Sequence, residues 1–168
     1  MPVRKAATRK TGATKVDAGG PETLIAGFLA KYTPEMVAAG KASRAKMRKR
    51  VPGGVEFVYD NYNALVFGYG PNDRPSEAVL SLALMPRWVT LCFLKGAKLS
   101  DPKKLLKGSG NIVRNMHLSS PAHLDDPDVE RLIEAAIAAA APGFPADGRE
   151  PQTVIKSISA KQRPRRPK

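Results

Sequence analysis

The sequence predicts an α+β fold in two layers, an antiparallel sheet of about five strands with helices packed on one of its faces. Three observations carry that expectation. Apolar residues recur at helical spacing near both ends of the stretch 21–141, while short apolar or alternating runs fill its middle. The turns between those runs are too short for the crossover that parallel neighbours need. Helices at both ends of such a series would cover one sheet face.

Pro21 and Glu22 open the first helix, with proline at its start and a carboxylate in its first turn. Leu24, Ile25, Phe28, Leu29 and Tyr32 then share one face. Thr33-Pro34-Glu35 repeats the start signal for a second helix, which ends near Val51-Pro52. From Val55 the period changes to two, and Asp60-Asn61-Tyr62-Asn63 is rich in turn formers before the apolar run from Ala64 to Tyr69. That reads as a hairpin. Ala78 to Met85 and Trp88 to Leu94 read as a second hairpin around Pro86-Arg87. Asp101-Pro102 signals a short helix carrying Leu105 and Leu106 and stopped by Gly108; Gly110 then turns the chain into a strand over 111–118. Asp126-Pro127 opens the last helix, whose Val129, Leu132, Ile133, Ala136, Ile137 and Ala140 form the clearest amphipathic pattern in the chain.

A chain of 168 residues suggests one domain, and 21–141 suffices for one core. No apolar run approaches the ~20 residues of a membrane span. The opening MPVRKAATRK has no apolar segment behind it, so it does not read as a secretory signal. The single cysteine, Cys92, sits within an apolar strand and has no partner for an intrachain disulfide, which fits a cytoplasmic location. The net charge of +13 is concentrated at the ends. Residues 1–20 hold five basic side chains and one acidic, and 142–168 hold seven and two. Both lack apolar periodicity, and the one short run in the second, Thr153 to Ile158, reads as a loose strand at most. The expected organisation is a flexible basic arm over 1–20, a folded domain over 21–141, and a flexible basic, proline-containing tail over 142–168.

The run FLKGAKLSDPKKLLKGSGNIVR, with Leu99, Asp101-Pro102, Leu105-Leu106, Gly108, Gly110 and Arg114, followed by the helix around Leu132, resembles the YdhG-like domain of unknown function. This bacterial family includes members described as frataxin-like iron chaperones. The resemblance covers roughly 21–141 and implies a small α+β domain with an antiparallel sheet flanked by helices and no established catalytic residues. It transfers no iron-site residue.

No phosphate loop, nucleophile elbow, H-E-x-x-H or C-x-x-C occurs, and the expectation is a non-catalytic binding or accessory domain without a resident cofactor. Its partner would be an unidentified small ligand or protein. Iron is the alternative that the resemblance supplies. Asp125, Asp126, Asp128 and Glu130 are the densest acids, explained either by helix capping or by affinity for a hard cation. His117 and His123, with Cys92 far upstream, form no metal-ligand spacing. Lys41, Arg44, Lys46, Arg48, Lys49 and Arg50 crowd one half of the second helix. They read as a solvated face or as a phosphate-binding surface, which together with the basic ends gives nucleic acid as a further candidate partner. Lys107, Gly108, Ser109 and Gly110, with Arg114 nearby, suit an anion cradle as well as a plain turn. Tyr59, Tyr62, Tyr69 and Trp88 lie near strand ends, where they either line a pocket with Arg114 or are half-buried sheet residues.

Overall fold

The computed structural model describes residues 20–168, so the arm expected over 1–20 lies, except for Gly20, outside the described residues. The described residues form the expected α+β fold, with helices α1 (Gly20–Leu29), α2 (Pro34–Arg50) and α3 (Pro127–Ala138). The strands are β1 (Val55–Asp60), β2 (Leu65–Gly70), β3 (Leu80–Leu84), β4 (Val89–Phe93), β5 (Arg114–Leu118) and β6 (Gln152–Ile158). No helix among the described residues is long and apolar enough to cross a membrane.

Local chemistry starts the helices where the sequence signals them. Thr33 caps α2 by accepting a hydrogen bond from the Met36 amide, and Asp126 caps α3 by accepting one from the Asp128 amide. The stretch after Asp101 differs from expectation. Its carboxylate accepts the Leu105 and Leu106 amides, each at 2.9 Å, and Lys104 adopts φ 53°. A left-handed lysine between Asp101 and its partners closes a capped turn instead of propagating a helix.

The sheet has six strands in the order β5-β4-β3-β2-β1-β6. β1 through β5 pair antiparallel, as their short turns require, and β6 lies parallel to β1. The expected five-stranded antiparallel sheet is therefore a six-stranded mixed one. The flexible tail expected over 142–168 is corrected at the same point. Thr153 to Ile158 lies within a strand, and Arg165 is 3% exposed. Gly54, at φ 79°, carries the chain into β1; a Cβ there would stand 2.1 Å from the Gly70 carbonyl oxygen.

The two sheet faces differ. One carries Leu65 and Phe67, Leu80, Leu82 and Leu84, Val89, Leu91 and Phe93, and Met116 and Leu118. These join the buried residues of all three helices in one apolar core. Gly40 of α2 brings that helix close to the sheet, since a Cβ there would sit 2.3 Å from the Leu84 Cδ2. The other face alternates to smaller or more polar residues: Ser81 and Ala83, Thr90 and Cys92, Asn115 and His117. Its lower part carries a small cluster of Val55, Phe57 and Ala78 with Tyr59, Leu94 and Val154. Higher up, the register places Tyr59, Val66, Ala83, Thr90 and His117 in one transverse row. Each member of that row is half-buried or exposed.

Candidate functional site

β1 carries its two acids, Glu56 and Asp60, on the face beneath the helices, and both are fully buried. A buried carboxylate persists only with counter-charge and hydrogen bonds. α2 supplies them at Glu56. Arg44 reaches it through Nε and Nη2 (the latter at 2.7 Å), and Arg48 Nη1 donates at 2.9 Å. The Tyr69 hydroxyl donates at 3.0 Å and the Thr153 hydroxyl at 2.9 Å. Burial, then the neighbouring Glu56 charge, pushes the Tyr69 hydroxyl well above its ordinary pKa. Tyr69 is thereby a core residue on the helix-covered face, not part of a ligand pocket.

Asp60 is answered by residues from both ends of the fold. Lys31 binds its carboxylate, and Arg165 approaches at 3.2 Å. Arg165 also donates to the Tyr32 hydroxyl at 2.6 Å and to the Asn61 carbonyl, with its guanidinium 5.5 Å from the Tyr32 ring centre. That hydroxyl itself donates to the Leu84 carbonyl and accepts the Leu65 amide.

The basic half of α2 thus has a structural explanation that composition alone does not supply. Arg44 also holds Glu22, whose carboxyl it lowers below the ordinary value chiefly by hydrogen bonding. Lys46 and Arg50 bind Asp125, and Arg50 binds Glu130 at 2.8 Å. Lys103 and Arg131 flank Asp128. The acids considered for iron and the cations considered for phosphate largely neutralise one another. Asp126 is spent on the α3 cap. No group of three or more metal-ligating side chains occurs among the described residues. Lys41 and Lys49 meet no acid among the described residues, and with Arg44, Arg48 and Glu150 they line a shallow hollow of about 220 Å³.

The loop at Lys107–Gly110 is exposed, and Lys107 exchanges backbone hydrogen bonds with Asn115. Gly108 has φ 126°, which accounts for a glycine there. Arg114 turns back onto the Gly110 and Val113 carbonyls, so its cation serves the loop's own oxygens. An anion would have to displace it.

The remaining aromatics gather elsewhere. Trp88 and Tyr62 lie in the β3–β4 and β1–β2 turns, which antiparallel pairing sets at the same end of the sheet. Trp88 stacks on His117 with ring centres 5.1 Å apart and planes inclined by 26°, and its indole N–H donates to the Thr90 hydroxyl at 3.1 Å. It stays 39% exposed. Tyr62 is 49% exposed, with the Arg163 guanidinium 5.6 Å from its ring centre. Tyr59 heads the transverse row on β1, opposite His117 on β5. Arg114 lies on the other face, so it forms no common pocket with Tyr59 and Trp88.

No known family, curated protein or solved structure matches the chain.

Sequence reasoning missed both buried carboxylates and their partners. A signal was present, since Glu56, Val58 and Asp60 alternate on β1 while Arg44 and Arg48 are one helical turn apart. The missing element was β6, whose Thr153 closes the Glu56 cluster.

Proposed function

We propose that this chain is a non-catalytic cytoplasmic binding module of the YdhG-like kind, that its working surface is the uncovered sheet face, and that its ligand is anionic. One observation carries the reading. The row Tyr59–Val66–Ala83–Thr90–His117 has no helix over it, while all three helices join the core on the opposite face. At the same end of the sheet the Arg163 guanidinium lies over Tyr62 and meets no acid among the described residues, while Arg87 lines a hollow beside α2. The net charge of +13 favours anions at long range. The buried carboxylates are saturated by cations and hydroxyls, which supports a structural role for them over acid–base chemistry.

Titration of isotope-labelled protein with a heparin fragment, followed by amide chemical shifts, tests this proposal. Shifts should concentrate at Tyr62, Trp88, Thr90 and His117. Shifts confined to Lys41 and Lys49 would move the site to α2, and no shifts at low salt would remove the anionic ligand altogether.

A further inference from the structure

We infer that the uncovered face is a platform for single-stranded nucleic acid, held by base stacking on Tyr59, Tyr62 and Trp88 with Arg163 serving the phosphates. The inference rests on the reading above and names the ligand class of that same surface. A generic anion needs only charge. This surface adds aromatic rings to it, and their placement is specific.

Tyr59 and His117 stand four strands apart in one row, a span of about 19 Å at the usual strand spacing. Between them the floor is Val66, Ala83 and Thr90, short side chains that leave the sheet accessible. Rings on β1 and β5 therefore flank a low middle, with Ser157 of the edge strand β6 beyond Tyr59, and the result is a trough in which a few nucleotides can lie with their bases against rings. Trp88 is set for that contact. His117 backs the indole, and the hydrogen bond to Thr90 fixes its tilt. Arg163 stacks on Tyr62 while leaving about half of that residue's surface open. A guanidinium beside an aromatic ring offers both a stacking plane and a phosphate fork.

A duplex fits poorly, because its bases are already stacked on one another and a flat sheet face does not enter a groove. An acidic peptide would use the arginine but has no use for spaced rings above a low floor. Single strands use both, and with little dependence on base identity.

The sole tryptophan of the chain lies within this surface and reports on it directly. Titrating the full-length protein with a short oligothymidylate should quench Trp88 fluorescence, whereas a heparin fragment should not quench it even where it binds. Tyr62→Ala should weaken the oligonucleotide about five- to a hundredfold, the range for loss of one stacked base. Trp88→Leu should do the same, read by anisotropy of a labelled oligonucleotide. Arg163→Ala should reduce the slope of log K against log salt by about 0.7, one phosphate contact on a single strand. Trp88 and Tyr62 are exposed, and an unchanged urea midpoint will show that each variant folds. Equal affinity for heparin and oligonucleotide, with Tyr62→Ala and Trp88→Leu both silent, would overturn the stacking inference and leave the anionic surface standing. Quenching by an acidic peptide that displaces the oligonucleotide with equal affinity would also overturn it, in favour of a protein partner. If none of the three ligands binds at low salt, both this inference and the anionic reading fall.

Discussion

Replacing Arg165 by methionine removes a buried charge while keeping much of the side-chain volume. Arg165 is 3% exposed and faces the fully buried Asp60, so the substitution breaks a buried ion pair, for which about 3–5 kcal/mol is typical. Lys31 still neutralises Asp60, and the Tyr32 hydroxyl keeps its bonds to Leu84 and Leu65. Those survivors place the expected loss near the lower limit, about 3 kcal/mol. Ending the chain at residue 141 removes Arg165 and β6 together. Glu56 then loses the Thr153 hydroxyl at 2.9 Å, a bond to a charged group worth about 1.5–3 kcal/mol. The combined loss approaches the whole stability of a small domain, about 5–15 kcal/mol. Urea unfolding followed by Trp88 fluorescence and far-ultraviolet circular dichroism measures both. The point variant should unfold cooperatively at a lower midpoint, and the truncated chain should lack a cooperative transition. A point variant within about 0.5 kcal/mol of wild type, or a truncated chain that unfolds like the full one, would refute the assignment of Arg165 and β6 to the fold.

Ile133→Ala, at a fully buried α3 position, should cost about 2–5 kcal/mol by the same urea measurement. Gly40→Ala should destabilise despite a helix-propensity gain of about 1 kcal/mol, because the new methyl meets the fully buried Leu84 side chain. Acid should weaken the fold through Glu22, Asp125 and Asp128. Hydrogen bonds from Arg44, Lys46 and Lys103, respectively, are the largest influence on each and lower the three carboxyls below their ordinary values. Their stabilisation is complete above the unfolded carboxylate range and disappears as pH falls through the depressed folded values. A Glu22→Gln variant should accordingly show a shallower decline of urea midpoint on acidification, and an unchanged decline would count against the Arg44 pairing.

The helices were legible because each has a start signal such as Thr33-Pro34 or Asp126-Pro127, and α1 and α3 add a repeating apolar face that α2 lacks. The hairpins were legible for the same reason at period two. β6 was only half legible, as a loose strand over Thr153 to Ile158 in an otherwise flexible tail, since QTVIKSI is short, flanked by prolines and basic residues, and held by a parallel partner far away in sequence. Local pattern carries no information about that partner. Why α2 is basic was hidden for a different reason. Arg44 and Arg48 look like surface charges until Glu56 is placed beneath them, and only the sheet's register does that. Trp88 and Tyr62 were singled out as candidates, and the structure leaves both partly exposed; Arg114, grouped with them as a possible pocket residue, lies on the opposite face. At Asp101, a cap signal was read as a helix start when it caps only a turn.

The parallel strand has a consequence during synthesis. β1 finds β2 almost at once, but the Glu56–Thr153 contact joins residues 97 positions apart. At ribosomal rates of about 5–20 residues per second, that interval lasts on the order of 5–20 s. Throughout it the nascent chain carries an unpaired β1 edge while β2 to β5 are added in turn, and Glu56 and Asp60 lack part of their final complement. Such a half-closed sheet is the form in which this protein is most open to mispairing with another nascent chain and most dependent on a chaperone's hold.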